Sequence, residues 1–138
     1  MVNQQFATAV HVLTALAFNK KKLMSSDALA LSVNTNPVVI RRLLSLLTKA
    51  ELVETLRGKT GGVKLSKEAQ MITLKDVYVA LSPSHPLGPR ERAPHKECPV
   101  SCSMDAIMTT VSLGTQKATL KYLDSQKLSD LIKKISKA

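Results

Sequence analysis

Tryptophan is absent, and aromatic residues make up only 3% of the chain, as two Phe and two Tyr. So few rings argue against a stacking platform for single-stranded nucleic acid. No apolar run approaches the roughly 20 residues that span a bilayer, and the N-terminus lacks the charged-then-apolar layout of a secretory signal. The expectation is a cytoplasmic protein with no membrane partner. Two cysteines among 138 residues, 44% of them apolar, do not form a secreted disulfide framework, because a chain of this size buries about two-thirds of its unfolded surface without staples. Acids are also scarce. Ten Asp and Glu face twenty Lys and Arg, a formal net charge of +10, and none of the acids falls in residues 1–26. The excess favours a polyanionic partner, with duplex DNA the better fit. It leans towards the N-terminal part: residues 1–81 hold 11 basic and 5 acidic side chains (+6), residues 82–138 hold 9 and 5 (+4). No His, acid and nucleophile constellation is visible, so an enzyme is not expected.

What is present begins with SVNTNPVVIRRLLSLLTKAELVETLRGKTGGVKLS, residues 32–66, which reads as a polar turn, an amphipathic helix and a glycine-tipped basic hairpin. Asn36 can cap the helix and Pro37 suits its first position, where a backbone N–H is not needed. Helical spacing puts Val39, Leu43, Leu46, Leu47 and Ala50 on a core face and Val38, Arg41, Arg42, Ser45 and Lys49 on the opposite one. Upstream, Ser25-Ser26-Asp27 caps a short helix ending at Ser32-Val33-Asn34-Thr35, with Val33 as a buried pivot and Asn34 in place of the usual turn glycine. Two helices joined this way match the unit that sets its second helix into a major groove, where arginines reach phosphates or guanine edges. A longer helix carrying Phe6, Ala9, Val10, Leu13, Leu16 and Ala17 precedes them and closes at Asn19-Lys20-Lys21-Lys22. His11 within it reads as a packed or edge residue. Downstream, Leu52–Arg57 and Val63–Ser66 read as strands around Gly58-Lys59-Thr60-Gly61-Gly62. Arg57, Lys59 and Lys64 with Gly61 and Gly62 would let the tip approach a sugar-phosphate backbone; a nucleotide cradle is the alternative, although neither GxxxxGK[ST] nor GxGxxG is present. Thr73 and Asp76 form a capping box for a further helix with Leu74, Val77, Tyr78 and Leu81 on one stripe.

Pro83, Pro86, Pro89, Pro94 and Pro99 make the segment between Ser82 and Val100 a non-helical connection, which also holds His85 and His95. Cys98 and Cys102 follow, and Cys102 is placed at the start of a helix whose dipole favours a thiolate. They read either as unremarkable reduced thiols or as a redox or effector-responsive pair; two thiols and a histidine are short of a full metal set. Beyond them Met104, Ile107, Val111, Gly114 and Ala118 recur at heptad-like spacing on a helix too apolar to stand alone, with Gly114 and Ala118 admitting a close neighbour. Two copies crossing about a two-fold axis would cover it, the alternative being a fold back onto its own domain. A final helix with Leu128, Leu131, Ile132 and Ile135 is expected beside it. The fold class is mainly α with a small β-hairpin wing: a winged helix-turn-helix over 1–81, a Pro-rich linker over 82–101 and dimerisation helices over 102–138. A protein-interaction module using the same basic surface is the competing class.

The run LALSVNTNPVVIRRLLSLLTKAELVETLRGKTGGVKLS followed by ITLKDVYVAL resembles the BadM/Rrf-two family of bacterial winged-helix regulators, over nearly the whole chain and most of all its cluster-free members. The resemblance implies a cytoplasmic homodimer formed through the long C-terminal helix, repressing transcription at a palindromic operator; modulation by thiol redox state or by a small-molecule or protein effector is a separate expectation. Cluster-binding members have three cysteines and then a histidine. Here Cys102 matches the third, Cys98 is a shortened-spacing counterpart of the second, the first is absent, and Asp105 stands at the histidine's place. No resident cofactor is therefore implied, the alternative being an iron-sulfur cluster held by four thiolates from two chains.

Overall fold

Asn36 and Thr73 do what their positions in the sequence predict. Asn36 Oδ1 accepts from Val38 N–H at 2.8 Å, and the Thr73 hydroxyl accepts from Asp76 N–H at 3.1 Å while the Asp76 carboxylate accepts from Thr73 N–H at 3.0 Å. These caps fix the starts of two of the six helices seen among the described residues of a computed structural model, which describes residues 4–19, 22–81, 87–89 and 92–135. In chain order they are α1 (Gln5–Phe18), α2 (Ser26–Val33), α3 (Pro37–Lys49), β1 (Val53–Leu56), β2 (Gly62–Leu65), α4 (Leu74–Ala80), α5 (Pro99–Asp124) and α6 (Leu128–Ile132). A single 3₁₀ turn, Ala69–Met71, precedes α4. Lys20, Lys21, Pro83, His85 and Pro86 lie outside the described residues.

The chain divides into two units, Met1–Ser82 with Leu123–Ala138, and Pro83–Tyr122. In the first, α1, α2, α3 and α4 surround a core of Val12, Leu13, Leu16, Leu29, Ile40, Leu43, Leu47 and Val77, closed by Leu52, Val53 and Val63 from the hairpin. The strands are antiparallel, Val53 opposite Leu65 and Leu56 opposite Gly62. Met24 adds an isolated bridge on the outer side of β2, with Val63 N–H donating to Met24 O at 2.8 Å. Val63 N–H and C=O both bond Met24 while Thr55 stands opposite on β1, which fixes β2 between the two.

Several sequence expectations shift. In α3 the buried set is Ile40, Leu43, Leu44 and Leu47, whereas Val39 is exposed and Leu46 and Ala50 are half-buried. The core face is turned by roughly a fifth of the helix circumference, because the all-aliphatic i, i+3, i+4, i+7 set beginning at Ile40 buries more apolar surface than one ending in alanine. Val33 is half-buried rather than a fully buried pivot. The last helix packs with α1 and the 3₁₀ turn: Leu128 is fully buried, its N–H donates to Ile72 O at 2.8 Å, and Leu74 N–H donates to Gln126 O at 2.9 Å. Residues 123–135 thereby complete the first unit, where the sequence grouped them with the dimerisation helix. In the second unit α5 starts at Pro99 rather than Cys102, so residues 99–101 are helical and not part of a linker; proline is well suited to a first helical position.

Candidate nucleic-acid interface

The joint between α2 and α3 is a tight left-handed cap. Asn34 has φ 65° and ψ 53°, its N–H donates to Leu31 O at 3.2 Å, and Thr35 N–H donates to Ala30 O at 2.9 Å. This is the Schellman arrangement, and asparagine tolerates the left-handed region better than most residues. At the far end of α3 the same device recurs at a residue with no such tolerance. Glu51 has φ 61°, its N–H donates to Thr48 O at 3.0 Å and Leu52 N–H donates to Leu47 O at 3.0 Å. The helix is therefore held at both ends by hydrogen-bonded reversals, one leading in from α2 and one leading out to β1.

Between them Val38, Arg41, Arg42, Ser45 and Lys49 all lie exposed on the side away from the core, with Asn36 exposed at the cap. In the wing, Arg57 and Lys59 are exposed, and Gly61 and Gly62 are half-buried at the turn into β2. Gly58 has φ 115°, which only glycine adopts without strain. A methyl group at Gly61 would overlap the Leu56 carbonyl oxygen and lie 2.9 Å from the Arg57 carbonyl carbon, and one at Gly62 would lie 3.0 Å from Met24 O. The close turn thus needs bare backbone at Gly61, while at Gly62 a side chain would crowd the neighbouring Met24 segment. Lys64 differs from expectation: its Nζ is 3.1 Å from Glu54 Oε1, directly across the strand pair, so its charge is partly neutralised. Among the described residues none of Arg41, Arg42, Lys49, Arg57 and Lys59 is ion-paired. Five cations from one helix face and one hairpin tip are left for an external anion.

Residues 2–134 match the Rrf2 family, described as iron-dependent transcriptional regulators. The chain belongs to the Rrf2 family. It is 35% identical over 132 residues to YwnA of Bacillus subtilis (strain 168), named as an HTH-type transcriptional regulator, covering 96% of this chain and 97% of that one. A crystal structure of a protein described as DNA-binding matches at 33% identity and a TM-score of 0.73, covering 93% of this chain and 98% of that one. CymR of B. subtilis, the global cysteine regulator, shares the fold at 23% identity and a TM-score of 0.69, covering 99% and 98%. Among the described residues no helix is long and apolar enough to cross a membrane.

The iron in the Rrf2 description can be tested against the donors this chain offers. Cys98 is half-buried at the start of α5, its Sγ accepting from Ser101 N–H at 3.4 Å. Cys102 is exposed one turn later, its thiol 3.6 Å from the carbonyl oxygens of both His95 and Lys96. It is therefore Cys98, not Cys102, that sits at the helix start. His95 is exposed, with its N–H donating to Ser101 Oγ at 2.7 Å. No group of three or more His, Cys, Asp or Glu side chains is gathered among the described residues. Two thiols do not fit the four ligands that an iron-sulfur cluster uses within one chain. His11 is an edge residue of α1, its Nε2 2.9 Å from Ser32 Oγ.

Two residues lie where the sequence does not lead one to look: Val39, expected on the core face, shares the exposed start of α3 with Val38, and Glu51 orients the wing. Recognising Ile40-Leu43-Leu44-Leu47 as the stronger stripe would have exposed the first; nothing in the residue type signals the second.

Proposed function

We propose that this Rrf2 protein is a homodimeric repressor that binds a palindromic duplex in the cytoplasm, setting each α3 into a major groove and each wing on the flanking backbone. The observation that carries the reading is the basic face of α3, unpaired among the described residues, with Arg41 and Arg42 at its centre and Lys49, Arg57 and Lys59 beside it. Arginine at the start of a recognition helix is suited to guanine O6 and N7, while lysines and bare wing N–H groups suit phosphates. Asn36 and Ser45 flank the same face.

Dimerisation is supported by α5, a helix of 26 residues in which Leu123 is the buried side chain among the described residues. Met104, Ile107 and Val111 are 37%, 50% and 43% exposed, Ala118 is exposed as well, and together they run along one seam. Gly114, on that seam, has nothing within 4 Å of where a Cβ would stand. A mid-helix glycine costs about 1 kcal/mol relative to alanine, a cost that a closely approaching second helix explains. Light scattering on the purified chain should give twice the 15.0 kDa chain mass, and a palindromic duplex should be shifted at nanomolar protein while a single half-site is not. A monomer that binds both duplexes equally would overturn the reading.

Cys98 and Cys102 are the groups through which an effector would act. Oxidising Cys98 to a sulfenic acid or a disulfide puts a new oxygen or sulfur atom on the Sγ that accepts from Ser101 N–H, which would crowd and loosen the first turn of the helix that would join the protomers. Hypochlorite or peroxide should weaken operator binding by the native chain and leave a Cys98→Ser, Cys102→Ser variant unaffected; equal responses would remove the idea.

A further inference from the structure

We infer that Val38 and Val39 read thymine, so that each half-site contains A·T pairs contacted through the thymine 5-methyl group next to the guanines met by Arg41 and Arg42. The inference rests on α3 being the recognition helix and deepens that reading. Val38 and Val39 are 46% and 45% exposed in the first turn of α3, the part of such a helix that reaches base edges. The core has no use for them, since Ile40, Leu43, Leu44 and Leu47 fill it. On the helical circle Val38 falls between Arg41 and Arg42, and Val39 stands beside Arg42.

A protein or lipid partner fits this surface poorly. Such docking uses a contiguous apolar patch, whereas Val39 opens onto a notch of about 290 Å³ bordered by Gln4, Thr8, Thr35 and Arg42. An apolar partner would also bury the two guanidiniums, which have no ion pair among the described residues, without acceptors, which is costly. Duplex DNA satisfies both needs at once. Its major groove presents guanine acceptors and, within a base step or two, a methyl group on thymine. RNA has neither the methyl nor an accessible major groove. Valine is also well suited to the task, because in a helix its χ1 is held almost entirely in one rotamer and its methyls are presented without further ordering.

The test begins with selection of duplexes from a randomised pool by the native full chain at fixed salt. Each thymine of the selected duplex is then replaced by deoxyuridine, which removes the 5-methyl group alone. We expect at least one thymine in each half-site at which this change weakens native binding about threefold to fivefold. That sensitivity should vanish in Val38→Ala or Val39→Ala, both of which keep the melting temperature of the native chain. Deoxyuridine duplexes that all bind like the thymine duplex would overturn the inference without touching DNA recognition, and this arm needs no variant. Sensitivity that persists unchanged in both variants would also overturn it. Failure to select any duplex would overturn the underlying reading together with this one.

Discussion

Replacing Arg41 and Arg42 together by alanine is expected to lower duplex affinity about 100- to 1,000-fold at fixed salt, since each well-placed guanidinium contact to a base contributes about 1–3 kcal/mol. Folding should not suffer. Both side chains are exposed and, among the described residues, unpaired, and alanine is the better helix former. The double variant should therefore keep its thermal midpoint and its dimer mass while losing the operator. The single variants separate the roles. An arginine on a guanine edge relaxes specificity at one position when removed; one on a phosphate weakens all sequences alike and reduces the slope of log affinity against log salt by about one. Unchanged affinity in the double variant would end the assignment of α3 as the reading helix.

The second large effect is expected far from that face. Leu128→Ala should destabilise the first unit by about 2–5 kcal/mol, the usual range for deleting a fully buried leucine. Leu128 is 0% exposed in the core that includes α1, and its backbone N–H closes on Ile72 O. Against a typical total of about 5–15 kcal/mol this is a large fraction. Ending the chain after Tyr122 should do more harm still, because it also removes Leu123 from the core and the Gln126 carbonyl from Leu74 N–H. Urea titration followed by circular dichroism measures both. A shortened chain as stable as the native one would mean that residues 123–138 are dispensable to the winged unit.

What could be read in the sequence, and what could not, divides along the range of the interactions. The caps at Asn36 and Thr73, the left-handed turn at Asn34 and the exposure of Arg41 and Arg42 depend on residues within four positions of one another, and all were legible. So was the family resemblance, carried by VNTNPVVIRRLL and the wing glycines. The rotation of α3 was not, because the helix offers two overlapping aliphatic stripes and only the neighbouring α1, α2 and hairpin decide between Ile40 and Val39. The stripe on α6 was equally visible, but its partner lies more than fifty residues away at Ile72 and further still on α1. Lys64 looked like a free cation until β1 and β2 paired it with Glu54. At Glu51 the backbone adopts a conformation that the side chain disfavours, held there by the hydrogen bonds of Glu51 and Leu52, so residue type could not announce it.

The two left-handed residues that bracket α3 have a consequence for how this protein would discriminate among sequences. Because Asn34 and Glu51 fix the chain's direction on both sides through backbone hydrogen bonds, the helix and the wing have a set relative orientation before any duplex is met. Little ordering entropy is then spent on association. A protein that folds around its target can adapt to a poor site at some loss of affinity. A preassembled one has no such slack, and a mismatched base pair is felt in full at the rigid side chains that face it.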